Sequence, residues 1–92
     1  MNIPAFIKCH AYTTVYEQGK HKPAKGVEMF INVHHIVSYA SVIDCAVDSV
    51  AITTIAHDGR GVYRVWEPLH VVEAKVKSAL ESILMAYQNA QR

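Results

Sequence analysis

The sequence lacks any long hydrophobic run. Nowhere in its 92 residues do about 18 apolar residues follow one another, as a membrane-spanning helix requires. The N-terminal residues have neither the positively charged start nor the apolar stretch of a secretory signal peptide. We therefore expect a soluble protein of the cytoplasm that has no membrane partner.

Cysteine and glycine are scarce, and the motifs of catalysis are missing. Cys9 and Cys45 each lie in an apolar, β-like segment, which favours packed thiols and leaves a disulfide as the alternative. Four glycines form no phosphate-binding loop, and neither GxSxG nor HExxH occurs. Asp44 and Asp48 flank Cys45, and their charges disfavour a thiolate there. The sequence predicts no enzyme and no catalytic residue.

An excess of charge of one sign is also missing. Nine Lys and Arg residues stand against eight Asp and Glu, a formal net charge of +1. This balance argues against both a general DNA binder and an acidic DNA mimic. Apolar residues make up 51% of the chain and charged residues 18%, which favours a surface buried by another copy or another protein. The length allows a single domain over residues 1–92.

What is present is a regular alternation of apolar and polar residues, typical of antiparallel strands. The alternation predicts four to five strands, at residues 3–16, 27–33, 36–44, 50–56 and 62–66. The polar stretch 17–26 holds two glycines, a proline and three lysines, and we expect it to be an exposed loop. A tight turn at 32–35, a connection at 44–49 and an Asp-Gly hairpin at 57–61 complete the predicted sheet.

A long amphipathic helix follows the strands. It is expected from Pro68 to Ala90, because apolar residues recur there at steps of three and four. Its apolar stripe comprises Leu69, Val72, Val76, Leu80, Ile83 and Tyr87. The helix would be about 35 Å long, against about 17–23 Å for a strand, so its end at Met85 and Tyr87 should project as an interface. The predicted fold is α+β, an antiparallel sheet with this helix packed on one face.

Six histidines raise the question of a metal site. None of the usual zinc-ligand spacings occurs, and sequential residues of a strand point to opposite faces. A site would need His10, one of His34 and His35, and His57 or Cys45 to converge. The sequence favours surface or half-buried histidines that bind no metal, and we predict no metal and no other cofactor.

Basic residues concentrate in two places, the stretch before the second strand and the Asp-Gly hairpin. Lysines and arginines there could contact RNA or DNA phosphates, and nearby aromatic rings could stack on bases or anchor a protein. The alternative is that the lysines only keep a loop and a sheet edge soluble. The candidate partner- or phosphate-binding residues are Lys20, His21, Lys22, Lys25, Arg60, Tyr63 and Arg64, with Tyr16 and Trp66 as further aromatic candidates.

One pattern resembles a known family. It reads F-x-N-x-x-x-I, then V-x-I-T-x-x-x-x-D-G, then a strand and an amphipathic helix, and it is similar to the small flagellar FlbD-like proteins and their phage-borne relatives. The residues that carry it are Phe30, Asn32, Ile36, Val50, Ile52, Thr53, Asp58, Gly59, Val65, Glu67, Val72 and Val76. The resemblance covers residues 27–84 and implies no catalytic residue. The pattern is also similar to part of a LytTR-type DNA-binding domain, whose final strand is absent.

In general character the chain is similar to phage-encoded inhibitors of host defence, anti-CRISPR proteins among them. That likeness implies a steric mechanism, in which the protein docks on a host protein or ribonucleoprotein complex in the host cytoplasm and blocks its nucleic-acid path. A nucleic-acid-binding regulator that uses the basic residues is the alternative, and a metal-binding protein or small enzyme is a third. A homo-oligomer is compatible with each of these.

Overall fold

The computed structural model describes residues 5–44, 47–56 and 59–90. The strands form one antiparallel sheet in the order β2-β1-β5-β4-β3, and the helix packs on one face, so the predicted α+β fold is confirmed. The elements are β1 (Phe6–Glu17), β2 (Lys20–Asn32), a short 3-10 helix (Val33–His35), β3 (Ile36–Asp44), β4 (Val47–Ala56), β5 (Gly59–Val65) and α1 (Leu69–Ala90).

The polar stretch 17–26 is not a loop, and that prediction was wrong. Gln18 and Gly19 make a two-residue turn with φ of 50° and 75°, and β2 begins directly after it at Lys20. Positive φ at both central residues matches the twist of a tight hairpin, and glycine adopts it at little cost. The lysines and Pro23 are tolerated in a strand because β2 lies at the edge of the sheet.

A β-bulge divides the β1–β2 hairpin. His10 pairs with Glu28 but Tyr12 pairs with Lys25, so two residues of β2 stand opposite Ala11. One of them is Gly26, where an added Cβ would lie 2.8 Å from the carbonyl oxygen of Ala11, so that a side chain there would force the strands to shift. Ala11 is also where β1 pairs with Val65 of β5. Beyond this point residues 12–17 pair with β2 alone.

The other connections lie close to the positions predicted from the sequence. The predicted turn at 32–35 is confirmed as the 3-10 helix, and the Oδ1 of Asn32 accepts a hydrogen bond of 2.9 Å from the backbone N–H of His34. β4 begins at Val47 rather than at residue 50, which shortens the predicted connection. β5 begins at Gly59, and residues 45–46 and 57–58, with Cys45, His57 and Asp58, lie outside the described residues.

The core lies between the helix and one face of the sheet. In β1, Ile7 and Cys9 point into it while Phe6 and Lys8 point away, as the alternation predicts. Leu80 and Tyr87, predicted on the apolar stripe of the helix, are instead more than half exposed. The buried apolar residues are Ile7, Cys9, Ile31, Val33, Val50, Ile52, Val65, Val72 and Val76.

The molecule is elongated, with extents of 61 × 28 × 20 Å. Its radius of gyration is 15.6 Å, whereas a compact domain of this length has about 12 Å. The helix starts beside His10 and runs back along β1, since Lys75 and Ser82 share a groove with residues 5–8. The end of the helix and the end of the β1–β2 hairpin therefore lie at opposite ends. Within the described part of the chain, no helix combines the length and apolar character needed to cross a bilayer.

Candidate functional site

The most prominent surface feature is the free part of the β1–β2 hairpin, residues 12–25, which we call the arm. Its six residues per strand, at about 3.4 Å each, reach about 20 Å beyond the last pairing with β5. Residues 13–22 are all exposed. The arm thus offers two faces and two edges to a partner while it contributes no residue to the core.

Strand alternation divides the predicted basic residues between the two faces of the arm. Lys20 and Lys22 lie on one face, whereas His21 and Lys25 lie on the other. The register places Tyr12, Thr14, Tyr16, His21, Pro23 and Lys25 on the first face and Thr13, Val15, Glu17, Lys20, Lys22 and Ala24 on the second. One face is therefore mainly aromatic, and the other carries most of the charge.

The tip of the arm carries a ring pair. Tyr16 and His21 are cross-strand partners, and their rings meet edge to face with centroids 5.1 Å apart. Tyr16 is 70% exposed, so this pair is available for stacking or apolar contact. On the other face the Nζ of Lys22 lies 3.6 Å from a carboxylate oxygen of Glu17, so part of the lysine charge is balanced within the arm.

Arg64 joins the base of the arm to the sheet. Its guanidinium lies 3.8 Å from the centroid of the Tyr12 ring, and its Nε donates a hydrogen bond of 2.8 Å to the Oγ of Ser49. The ring of Trp66 lies 6.0 Å from that of Tyr12. These contacts place Arg64, predicted as a partner contact, and Trp66, a further aromatic candidate, where they orient the arm.

Arg60 and Tyr63, also predicted as partner contacts, lie away from the arm. Arg60 is exposed near the start of β5, opposite Ile55, and β5 is an interior strand rather than the edge that carries the lysines. Tyr63 lines a groove elsewhere on the surface, with a volume of about 460 Å³, which we call the aromatic groove. This groove is lined by Phe6, Met29, Phe30, Ile31, Asn32, His35, Thr54 and Tyr63.

A half-buried set of hydrogen bonds fastens β1 to the segment just before the helix. The Nδ1 of His10 lies 2.7 Å from an Oε of Glu67, and the backbone N–H of His10 donates to both carboxylate oxygens at 2.9 and 3.0 Å. Burial by itself would raise the pKa of Glu67, but these hydrogen bonds outweigh it and hold that pKa below the ordinary 4.5. The carboxylate is therefore ionised at neutral pH and serves to join two elements.

The described histidines and cysteine supply neither a metal site nor a nucleophile. No group of three His, Cys, Asp or Glu side chains within residues 5–44, 47–56 and 59–90 is placed to hold a metal ion. Cys9 is fully buried, as expected of a packed thiol. Burial, and next the charge of Glu67, raise its pKa to about 11, so it is a thiol at neutral pH.

The predicted helix-end interface is exposed. Met85 and Tyr87 are 63% and 56% accessible, and Leu80 and Leu84 on the preceding turns are exposed as well. The helix therefore carries an apolar surface at the end of the molecule opposite the arm. Exposure makes these side chains available for a contact, which is the condition that the predicted interface requires.

Sequence reasoning missed the aromatic groove and the contacts at the base of the arm. The alternation places Phe6 in the set of β1 residues that points away from the core, and Phe30 lies between the core positions Met29 and Ile31. An aromatic residue on the outer face of a strand was the available signal. No local sequence pattern indicates the contact between Arg64 and the Tyr12 ring, because these residues are 52 positions apart.

Comparison with protein-family models, with curated proteins and with solved structures finds no match for this chain. The similarity to FlbD-like proteins and to phage-encoded inhibitors therefore stays a prediction. The arm and the aromatic groove are the features from which a function can be inferred.

Proposed function

We propose that this protein is a non-enzymatic binding protein, carried by a phage or mobile element, that docks on a host protein or ribonucleoprotein complex and blocks its nucleic-acid path with the arm. The arm is the observation that carries this proposal. Residues 13–22 of the arm are all exposed, and a two-stranded hairpin without packing contacts gains little stability. Exposed apolar side chains such as Val15 and Tyr16 do not serve the core, and they suit contact with a partner.

The two faces of the arm suit a partner that offers both protein and nucleic acid. The ring pair of Tyr16 and His21 provides apolar area and a stacking surface. Lys20 and Lys22 on the opposite face suit phosphates or acidic side chains. A ribonucleoprotein presents these chemistries next to each other, and an arm about 20 Å long and two strands wide is narrow enough to enter a nucleic-acid channel.

The lack of a catalytic motif favours inhibition by occupation over chemistry. The described residues hold no metal cluster, and the one described thiol is buried. The small α+β domain and its exposed apolar side chains are features shared with phage-encoded inhibitors, anti-CRISPR proteins among them. These features support the inhibitor proposal.

The test is a pull-down from host lysate with the tagged chain, followed by a nucleic-acid-binding assay on the recovered complex. We expect a stoichiometric partner whose nucleic-acid binding falls when the chain is added. The double variant Tyr16→Ala, His21→Ala should lose the partner. Val62→Ala is the matched control, because Val62 is 67% exposed on β5, outside the arm. Recovery of no partner, or of the same partner by both variants, would contradict the proposal.

A nucleic-acid-binding regulator is the second candidate, and the shape of the arm favours it. The major groove of B-DNA admits a two-stranded β-ribbon, and the arm is such a ribbon with three lysines. Three phosphate contacts imply a slope of about −2.7 in a plot of log affinity against log salt, which is roughly a 40-fold loss between about 50 and 200 mM. Titration of duplex DNA and RNA measures this slope, and binding without salt dependence would exclude this candidate.

A further inference from the structure

The two edges of the sheet differ in their protection against pairing. The β2 edge carries Lys20, Lys22, Pro23 and Lys25, and the bulge at Gly26. Lysine, proline and bulges are the devices by which proteins keep an edge strand from adding another strand. This edge is therefore protected.

The β3 edge has almost none of these devices. Its residues from Ile36 to Ile43 read IVSYASVI, without a charge, a proline or a glycine. One bulge at Val37 interrupts its start, and pairing with β4 is regular from Ser38 to Asp44. No described strand pairs with the outer side of β3. The unpaired N–H and C=O groups of this strand are thus open to an added strand.

An apolar groove adjoins this edge. It lies between Tyr39 of β3 and one flank of the helix, where Val76, Leu80 and Leu84 line it. Its volume is about 290 Å³, and Leu80 and Leu84 are more than half exposed. The edge and this flank groove form one continuous surface, since Tyr39 belongs to both.

The charges of the flank groove are self-complementary. Lys77 stands between Glu73 and Glu81, each four residues away along the helix. Two copies of this helix in antiparallel contact bring each lysine next to a glutamate of the other copy when the two-fold axis lies midway between Lys77 and either Glu73 or Glu81. Opposite charges on one patch favour an isologous contact, in which the same patch is used on both sides.

The total exposed area is larger than that of a compact monomer. The chain exposes 6622 Å², whereas a compact monomer of 10.3 kDa exposes about 5,350 Å². The difference exceeds the roughly 800 Å² per partner that a standard protein interface buries. Leu80 and Leu84 of the flank groove, both more than half exposed, belong to this exposed surface.

We infer that a second copy of this chain covers the β3 edge, with the two β3 strands paired antiparallel across a two-fold axis and the flank grooves packed together. The pairing joins two five-stranded sheets into one. The two arms remain free, because each lies on the side of its sheet away from β3. This inference is independent of the proposed function, which uses the arm.

The experiment measures the mass of the intact chain by sedimentation equilibrium as a function of concentration. We expect a mass of twice 10.3 kDa, and a dimer that dissociates only on dilution. Ala40→Lys places a charge in the middle of the exposed edge, close to its own copy across the axis. We expect it to raise the dimer Kd at least about tenfold, since like charges in contact across the axis repel each other.

A second pair of variants keeps the test decisive if Ala40→Lys fails to fold. Leu84→Glu places a charge in the flank groove, and Ser82→Glu places the same charge on the flank that faces β1. Only Leu84→Glu should weaken the dimer, with circular dichroism unchanged in both variants. The inference is overturned if the wild-type chain is monomeric up to on the order of 100 µM. It is also overturned if Leu84→Glu leaves the dimer intact, or if β3 pairs only with another protein's peptide.

Discussion

The two halves of β1 differ in what holds them in place. In the first half, Ile7 and Cys9 are buried under the helix, next to the core residues of β4 and β5. In the second half, Val15 and Tyr16 are 46% and 70% exposed and pair with β2 alone. The division falls at Ala11, where the bulge and the single pairing with β5 coincide.

This comparison shows how one strand serves stability and recognition at the same time. The first half is part of a cooperative core, so a change there affects the whole domain. The second half forms with little burial, and its side chains can change with little effect on folding. Recognition by the arm should therefore be separable from stability, and the following predictions test that separation.

The largest difference is expected when the same valine-to-alanine substitution is made in the core beside the first half of β1 and in the arm. Val65→Ala removes a fully buried side chain beside Ala11 and should lower the free energy of unfolding by about 2–3 kcal/mol. Val15→Ala, in the arm, should lower it by less than about 0.5 kcal/mol. Urea unfolding followed by circular dichroism measures both, and equal losses would remove the distinction between body and arm.

Burial of the thiol in the first half of β1 should suppress its reactivity. In a Cys45→Ser variant, Cys9 is the single thiol, and its pKa of about 11, against an ordinary 9.0, means roughly 100-fold less thiolate near pH 8. Reaction with an aromatic disulfide reagent should be slower by at least that factor than in the same protein in urea. Equal rates in the folded and unfolded protein would show that Cys9 is accessible.

The bulge that separates the two halves should not accept a side chain. Gly26→Ala brings a Cβ to 2.8 Å from the carbonyl oxygen of Ala11, so the two strands must shift apart. This shift should lower the free energy of unfolding by about 1–3 kcal/mol. Gly61→Ala is the matched control, since its Cβ would meet nothing closer than 3.6 Å. Thermal unfolding compares the two variants, and a neutral Gly26→Ala would show that the junction adjusts freely.

The hydrogen-bonded carboxylate of Glu67 at the junction should make stability depend on pH. In the folded protein the pKa of Glu67 lies below 4.5. The carboxylate therefore stabilises the fold fully above pH 4.5, and this stabilisation is lost as the pH falls through the pKa of the folded state. Glu67→Gln should cost about 1 kcal/mol at neutral pH, the difference between a charged and a neutral acceptor.

The wild-type and Glu67→Gln stabilities should converge in acid, which urea unfolding at several pH values measures. Glu28→Gln is the control, because Glu28 pairs with Lys8 at 3.2 Å on an exposed surface, and its loss should cost less than about 0.5 kcal/mol. A constant gap between wild type and Glu67→Gln at all pH values would contradict the assignment to the carboxylate.

The smallest effect on stability is expected at the tip of the arm. Tyr16→Ala removes a ring that is 70% exposed, and the free energy of unfolding should change by at most about 0.5 kcal/mol. Binding of a partner should nevertheless be lost if the arm is the recognition element. A large loss of stability in this variant would show that the arm belongs to the cooperative core.

The sequence predicted the fold class and which residues of a strand share a face, because alternation and helical spacing are local properties. It did not predict which face of the sheet is buried. It predicted that Ile7 and Cys9 share a face, that Asn32 begins a turn, and that the helix starts near Pro68. It failed at residues 17–26, where lysines and Pro23 are typical of a loop but are equally suited to an edge strand. An edge is defined by the neighbours that a strand lacks, which are distant in sequence.

The candidate site was predicted only in part, because the rest of it depends on contacts between segments that are distant in sequence. Lys20, His21, Lys22 and Lys25 were identified from charge and exposure, but their division between two faces needed the register of the hairpin. Arg64 was grouped with them as a cation, although its guanidinium is engaged with Tyr12 at the base of the arm. The aromatic groove joins residues from β1, β2, β4 and β5, and no local pattern marks such a convergence.

By itself the sequence determined most of the elements and which residues of a strand share a face, since each depends on residues within one or two turns of each other. The tertiary structure alone decided that β1 pairs with β5 at a single position, which leaves the arm free. It also decided which strands form the edges, because strand order follows from contacts between distant segments. An exposed lysine ribbon and an unprotected β3 edge are properties of that arrangement, and both proposals about this protein depend on it.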